Sequence, residues 1–312
     1  MAKKQKVVSF IFPVYNNAGS LKLLCDEVKK IMSPLNYDYE FMFINDGSKD
    51  NSLDILQRLA RHDKKIKVIN LSRNFGHQAA VTAGLDKVGG EAIIIMDADQ
   101  QDPPSVCVEL IKKWEEGFDV AYAQRRSRQD TFYKKTVANV YYRVLASMSS
   151  VDIPRNTGDF RLVSKRVVDV IKEMGEHDRF LRGMFSFVGF EQVAVPFDRD
   201  QRHDGKSEYT FKKQMKLAKA GVFGFSDVPL RFVSHIGFLV SFLSIIGIIY
   251  ALFVRIFIPE IAVSGWTMTI VSIFFVGGVQ LSMLGVIGEY IARIYNESLN
   301  RPTYIIEKEI NT

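Results

Sequence analysis

The run Ala-Ile-Ile-Ile-Met-Asp-Ala-Asp-Gln-Gln-Asp at residues 92–102 carries the clearest structural signal in the chain. Its first part is apolar and rich in isoleucine, which is typical of a strand buried on both faces of a parallel sheet. The acidic residues begin where the strand is expected to end, at Asp97. Ligands of open α/β sheets bind beyond the carboxyl ends of the strands. The run therefore predicts a buried strand that leads into a binding crevice.

Similar strands alternate with helix-length segments through residues 1–205. The predicted strands are Val7–Val14, Tyr39–Ile44, Lys67–Leu71, Ala92–Met96 and Asp119–Ala123. The predicted helices are Gly19–Met32, Asp50–Arg61, Gln78–Val88 and Ser105–Glu116. This alternation indicates βαβ units. The sequence thus predicts an α/β fold with a mainly parallel, Rossmann-like sheet covered on both faces.

Two apolar segments follow, Ile236–Val254 and Trp266–Ile287. Each has about 20 residues, the length that crosses a hydrocarbon core of about 30 Å. Buried core helices are the alternative, but two such segments in succession favour a membrane. Lysine and arginine flank both segments, whereas the connecting loop offers only Arg255, balanced by Glu260. Both flanks are therefore expected on the cytoplasmic face.

The segment before the first apolar run has an amphipathic pattern. Lysines occupy the other faces of this segment. Its apolar residues recur at three-to-four spacing and are Phe211, Met215, Ala218, Val222 and Phe225. An ordinary helix packed on the α/β domain would show the same pattern, but the neighbouring apolar segment favours an interfacial helix. The expected order is an α/β domain (1–205), a loop with this helix (206–232), a two-helix transmembrane domain (233–290) and a cytoplasmic tail (291–312).

Composition excludes several classes of protein. The only cysteines are Cys25 and Cys107, too few for a disulfide framework, and the five histidines lack the HExxH spacing of zinc sites. The net charge is +6, but aromatic residues are not interleaved with arginines as a nucleic-acid platform requires. The basic residues fit a membrane surface and phosphate-bearing substrates better. Glycines in the second apolar segment permit close helix approach and association between copies of the chain.

Polar residues follow the predicted strands where ligands should bind. Asp97 and Asp99 offer the oxygen ligands that Mg²⁺ takes together with substrate phosphates, although solvated acidic turns also contain this pattern. Asp46, after the second strand, suits a base or ribose but also an Asx turn that caps the next helix. The segment Ser72–His77 after the third strand is either a further binding segment or a simple turn.

Five motifs occur in order: Pro13-Val14-Tyr15-Asn16-Asn17, Asn45-Asp46-Gly47-Ser48, Ser72-Arg73-Asn74-Phe75-Gly76, Asp97-Ala98-Asp99 with Gln101-Asp102-Pro103-Pro104, and Asn156-Thr157-Gly158-Asp159-Phe160-Arg161-Leu162. This set resembles family 2 glycosyltransferases of the GT-A fold. It is most similar to the branch that builds polyprenyl-phosphate sugars, such as bactoprenol glucosyltransferases and dolichol-phosphate mannose synthases. The resemblance extends over nearly the whole chain, including both apolar segments.

The resemblance implies roles for individual residues. The nucleotide-sugar-binding residues would be Pro13, Tyr15, Asn17, Asp46 and Asp97. The ligands of a Mg²⁺ or Mn²⁺ ion would be Asp97, Asp99 and Gln101. Asn17 departs from the glutamate of many family members, which changes the expected contact to the nucleotide. Asp159 is the family's candidate base, but a phosphate acceptor is mostly dianionic near neutral pH, so Asp159 is also a candidate for orienting the sugar or the acceptor.

Basic residues are candidates for binding the acceptor phosphate. Arg125 lies at the end of the fifth strand, with Lys134 and Lys135 beyond it, although these residues also fit a solvated basic face. Arg202–Tyr209 resembles the family's mobile Arg-x-x-Gly-x-Ser/Thr-x-Tyr loop, which adds Arg202 and Lys206. Arginine suits this role because it can hold a phosphate through two parallel hydrogen bonds. Arg125, Asp159 and Arg202 form the predicted catalytic set.

The predicted reaction moves one sugar from a nucleotide-diphospho-sugar, with UDP expected, to a polyprenyl phosphate such as undecaprenyl phosphate. It is metal-dependent and inverting, takes place at the cytoplasmic face of the cell membrane, and supplies sugar for cell-envelope glycans. A processive polysaccharide synthase and a catalytically silent membrane scaffold are the alternatives. A dinucleotide oxidoreductase is disfavoured because no Gly-x-Gly-x-x-Gly follows the first strand.

Overall fold

The computed structural model describes residues 5–126, 154, 157–177, 179–198, 228–257 and 265–312. The strands are β1 (Val7–Val14), β2 (Asp38–Asn45), β3 (Ile66–Leu71), β4 (Ala92–Ile95), β5 (Val120–Arg125), β6 (Thr157–Ser164), β7 (Gln192–Phe197) and β8 (Ile306–Ile310). The helices are α1 (Leu21–Met32), α2 (Ser52–His62), α3 (His77–Lys87), α4 (Val106–Glu115), α5 (Lys165–Glu173), α6 (Leu181–Phe187), α7 (Val228–Phe257) and α8 (Trp266–Ser298).

All eight strands belong to one sheet, in the order β7-β5-β6-β4-β1-β2-β3-β8. The central strands β4, β1, β2 and β3 are parallel, which confirms the predicted βαβ core. The sheet as a whole is mixed, because β6 is antiparallel to both β4 and β5, and β8 is antiparallel to β3. Both antiparallel strands lie outside the parallel core formed by β4, β1, β2 and β3.

Apolar side chains cover both faces of the sheet, as the sequence predicts. Phe10, Phe12 and Phe43 lie on one face with residues of α1, α2 and α4, whereas Ile11 and Ile44 lie on the other with residues of α3, α5 and α6. Alternate residues of a strand point to opposite faces, so a continuous apolar run supplies two core layers. The polar strand ends are consequently left at the carboxyl edge of the sheet.

Strand β8 corrects the expectation of a separate cytoplasmic tail at residues 291–312. It pairs with β3, so this part of the chain completes the α/β sheet. Ile306 and Ile310 pack against the two core layers, one on each face. Asn311 then fixes the end of the strand by donating to the backbone oxygens of Ala60 and Ile66 at 2.7 and 2.9 Å.

Helices α7 and α8 contain the two predicted apolar segments and extend beyond them. Large apolar side chains on both helices face outward, among them Phe238, which is 78% exposed, and Leu281, which is 72% exposed. In the part of the chain that the structure describes, one stretch, Phe275–Ser298, is long and apolar enough to cross a membrane. The predicted amphipathic helix at residues 211–225 lies outside the described residues.

Candidate active site

The loops that follow β1 and β2 are joined by hydrogen bonds. Asn16 adopts a left-handed conformation, with φ of 54°, and its Oδ1 accepts the Lys49 N–H at 2.8 Å. Its own N–H donates to Ser48 Oγ at 3.0 Å. Asn17 Oδ1 accepts the Tyr15 N–H at 3.0 Å, so this asparagine stabilises the turn that presents Tyr15.

Asp46 connects the second of these loops to the loop after β3. Its two carboxylate oxygens accept the N–H groups of Phe75 and Gly76 at 2.7 and 2.9 Å. Burial raises the pKa of Asp46, and these two hydrogen bonds only partly offset that effect. The side chain is 3% exposed. Asp46 therefore positions the third loop, and its contact with a nucleotide stays a prediction.

A cavity of about 420 Å³ opens between these three loops. We call it the strand-end cavity. Its lining includes Tyr15, Asn45, Gly47, Asn70, Arg73 and, from β8, Glu307. Both its volume and its position beyond parallel strand ends are typical of small-molecule sites.

The cavity wall depends on a glycine at position 47. Gly47 has a φ of +63°, and a Cβ added there would lie 2.6 Å from backbone atoms of Arg73 and Asn74. Replacing Gly47 by alanine is therefore expected to lower the free energy of unfolding by about 1–3 kcal/mol, from backbone strain alone. Denaturant unfolding measures the change. Gly89→Ala is the matched control, because a Cβ at Gly89 meets nothing within 4 Å; equal stability of the two variants would contradict the expectation.

Asp97 and Asp99 follow β4 at the same edge of the sheet. Both side chains are partly exposed, whereas Ala98 between them is buried. Asp99 Oδ1 accepts the Gln101 N–H at 3.1 Å, and Ser20 Oγ donates to the Ala98 oxygen at 2.6 Å, which fixes the turn against α1.

This donor set fits a hard divalent cation. Two carboxylates are the usual protein share of a Mg²⁺ site that also binds substrate phosphates. Among the described residues, no three His, Cys, Asp or Glu side chains form a metal cluster. The other ligands would therefore come from substrate, from water and from the amide of Gln101, which is a predicted ligand. Gln101 is only 8% exposed, and its role as a ligand stays a prediction.

A network of charged side chains surrounds Asp159, which β6 brings to the same edge. His77 Nε2 lies 3.0 Å from Asp159 Oδ2, and His77 Nδ1 lies 3.8 Å from Asp97 Oδ1. Arg182 Nε lies 3.0 Å from Asp159 Oδ1. Gln78 Nε2 donates to Asp159 at 3.3 Å. His77 thus connects the acidic loop after β4 with Asp159.

The electrostatics of the network keep both partners charged. Burial acts to lower the pKa of His77, but the hydrogen bond to Asp159 and the charges of Asp97 and Asp159 outweigh it and raise the pKa to about 9. Burial acts to raise the pKa of Asp159, but Arg182 and His77 outweigh it and hold the pKa well below its usual range. A carboxylate with such a low pKa is a weak base, so this arrangement suits Asp159 to positioning charges.

Two further arginines lie beside Asp159. Arg161 Nη2 donates to the Gly158 oxygen at 2.9 Å, and its guanidinium stacks on Phe185, 4.7 Å from the ring centre. An Arg125 guanidinium nitrogen lies 3.6 Å from the position of a Cβ built on Gly158. Arg125, Arg161, Arg182 and protonated His77 outnumber the nearby carboxylates, so the region favours an anionic ligand.

The structure brings many of the predicted residues to one edge of the sheet. Those at or beyond the strand ends are Tyr15, Asn17, Asp46, Asp97, Asp99, Gln101, Arg125 and Asp159. Pro13 is buried within β1. Lys134, Lys135, Arg202 and Lys206 lie outside the described residues. Sequence reasoning missed the roles of His77 and Arg182, although the position of His77 directly after a strand-end motif was a usable signal.

A Rossmann-like sheet with paired carboxylates at its carboxyl edge fits a sugar transferase of the GT-A type, and the comparisons with known proteins show the family. The family model described as Glycosyl transferase family 2 matches residues 9–171, and the chain belongs to this family. An uncharacterized glycosyltransferase of Bacillus subtilis, YkcC, is 43% identical over 96% of this chain and 93% of its own length. A bactoprenol glucosyl transferase of Shigella phage SfV is 38% identical over 97% of this chain and 98% of its own length. The chain is therefore a glycosyltransferase.

Solved structures of low sequence identity are also similar to this chain. A mannosyltransferase from Pyrobaculum calidifontis, solved with GDP-Man and Mn²⁺, has a TM-score of 0.49 at 14% identity and covers 72% of this chain and 64% of its own. A glucosyl-3-phosphoglycerate synthase from Mycobacterium tuberculosis has a TM-score of 0.46 at 14% identity, over 70% of this chain and 78% of its own.

Proposed function

We propose that this glycosyltransferase transfers one sugar from a UDP-sugar to a polyprenyl phosphate, such as undecaprenyl phosphate, with inversion of the anomeric carbon. The observation that carries the proposal is the excess of cations around Asp159, next to the Asp97 and Asp99 carboxylates. The cations suit a phosphate acceptor, and the two carboxylates suit a metal ion that binds a diphosphate. Relatives named bactoprenol glucosyl transferases, similar over nearly their whole length, support a polyprenyl acceptor.

The donor would lie across the carboxyl edge of the sheet. Its nucleoside would enter the strand-end cavity beside Tyr15, and its diphosphate would extend toward the loop after β4. Asp97 and Asp99 would hold a Mg²⁺ or Mn²⁺ ion, with Gln101 as the third predicted ligand. When bound, such an ion neutralises the charge of a departing diphosphate.

The acceptor phosphate would lie among Arg125, Arg161 and Arg182. The second pKa of a phosphate monoester is about 6, so the acceptor is mostly dianionic near neutral pH and needs no strong base. Asp159 would instead hold Arg182 and His77 in place through its two ion pairs. A phosphate oxygen would then attack the anomeric carbon opposite the leaving diphosphate, which inverts its configuration. The residues would act mainly by positioning and by electrostatic stabilisation.

We further propose that α7 and α8 both cross the membrane and hold the catalytic domain at its cytoplasmic face. Strand β8 follows α8 and pairs with β3, so the chain that leaves the catalytic domain after β7 returns to it at β8. A chain that enters the membrane between these strands must therefore come back to the membrane face from which it left. This favours two crossings over one. Glu297 at the end of α8 contacts His177, with Oε2 lying 2.7 Å from Nδ1, so this helix end lies against the catalytic domain. At 33 residues α8 is about 50 Å long, enough to span the bilayer and still reach that domain.

Purified protein in detergent, incubated with undecaprenyl phosphate, MnCl₂ and a panel of nucleotide sugars, tests this function. Mass spectrometry of the lipid fraction should show one hexose added to the lipid, with UDP released. A lengthening polymer would support a processive synthase instead. Failure to consume any donor, despite measurable binding of nucleotide, would contradict the proposed transfer.

A further inference from the structure

A chain of polar side chains runs from inside the sheet to the wall of the strand-end cavity. Asn45 Nδ2 donates to Asn70 Oδ1 at 2.6 Å, and Asn70 Nδ2 donates to Glu307 Oε2 at 2.6 Å. All three residues line the cavity. Asn45 and Asn70 are buried, whereas Glu307 is exposed. The polar chain therefore ends in a carboxylate at the cavity wall.

An irregularity in β8 sets the position of this carboxylate. Asn70 pairs with Lys308, but the next residue of β3, Leu71, pairs with Ile306. Glu307 is thus the extra residue on β8, as in a β-bulge. Bulges redirect side chains and are frequent beside active sites. Glu307 is the one described residue of β8 that lines the strand-end cavity, and it lies at this irregularity.

Folding stability alone does not explain the polar chain. Asn45 Oδ1 is buried, and within the described residues it accepts no hydrogen bond. A buried acceptor without a partner lowers the stability of the folded protein, so an apolar pair at positions 45 and 70 would stabilise the sheet more. What the polar chain does provide is a defined orientation for Glu307, because the Asn70 amide donates to its Oε2.

We propose that Glu307 is a specificity-determining residue that reads the base of the nucleotide by accepting the N3–H of uracil. This inference rests on the proposed function. An ionised carboxylate is an acceptor only, and Asn70 engages Oε2, which leaves Oε1 for a donor on the ligand. Uracil presents an N–H at ring position 3, where cytosine presents an acceptor. A site built around one hydrogen bond rejects an analogue that lacks the matching group.

Calorimetric titration of UDP and CDP in the presence of MnCl₂ tests this role. The unmodified protein should bind UDP at least about tenfold more tightly than CDP, the effect of one charge-assisted hydrogen bond. Glu307→Gln should weaken UDP binding by about tenfold and bring the two affinities close together. The matched control is Glu309→Gln, on the same strand, because Glu309 pairs with Lys87 at 2.7 Å and does not line the cavity.

The ratio of the UDP and CDP affinities separates base reading from general damage, because a distorted cavity weakens both ligands alike. An unchanged ratio in Glu307→Gln would overturn the inference and leave the proposed function intact. Tighter binding of GDP than of UDP by the unmodified protein would overturn the uracil assignment. Binding of no nucleotide by the unmodified protein would defeat the proposed function itself.

Discussion

Replacing Asp99 by alanine is expected to reduce sugar transfer by about a thousandfold, the usual loss when a group that stabilises transition-state charge is removed. The physical reason lies in the leaving group. In the proposed reaction a nucleoside diphosphate departs with added negative charge, and a cation held by the turn at residues 97–99 would neutralise it. Asp99 is partly exposed at the carboxyl edge of the sheet, where its carboxylate accepts the Gln101 N–H, so we expect the fold to survive the change.

Single-turnover transfer, followed with a radiolabelled donor, measures this loss. Circular dichroism should show an unchanged thermal transition. Titration of MnCl₂ in the presence of UDP should show weakened ion binding. Asp169→Ala is the matched control, because Asp169 is an exposed residue whose surface partner is Lys165. Transfer by Asp99→Ala within a few-fold of the unmodified protein would rule out the proposed metal site.

The second large effect is expected for Asp159→Asn, which keeps the size of the side chain and removes its charge. Transfer should fall by about a hundredfold or more, because Arg182 and His77 lose the anion that orients them. The free energy of unfolding should fall by about 1–3 kcal/mol, since the change leaves the partly buried Arg182 and His77 without their counter-charge. Asp38→Asn is a suitable control, because Asp38 pairs with Lys65 at an exposed position on the opposite edge of the sheet.

The pH dependence of this variant distinguishes positioning from proton abstraction. The acceptor phosphate loses its second proton with a pKa of about 6. If Asp159 removed that proton, the defect of Asp159→Asn would shrink between about pH 6 and about pH 8, as the acceptor becomes fully dianionic. A positioning role predicts the same fold-loss at both values. Transfer rates at saturating donor therefore decide between the two roles.

Much of the α/β core could be predicted because its signals are local. The run at residues 92–96 predicted β4, although the strand ends at Ile95, and the four predicted helices were found within a few residues of their expected bounds. The clustering of polar strand ends followed from the parallel arrangement alone. Each inference needed only the residues of one strand and of the segment after it.

Strand β8 and the network around Asp159 could not be predicted in this way. β8 joins β3 across more than two hundred residues, and its short run, Ile-Glu-Lys-Glu-Ile, is mostly charged and resembles any exposed polar segment. His77 and Arg182 belong to different helices and meet only because β6 places Asp159 between them. Contacts of this kind depend on the tertiary fold and leave no periodic pattern in the sequence.

The pairing of β8 with β3 makes completion of the sheet depend on residues near the end of the sequence. Until residue 310 has left the ribosome and both long helices have reached their final places, β3 is an open edge, and such edges invite aggregation. Under the proposed two-crossing arrangement of α7 and α8, a chain inserted the wrong way round could not bring β8 back to the sheet. Under that arrangement, only correctly inserted copies would complete the strand-end cavity, which takes Glu307 from β8.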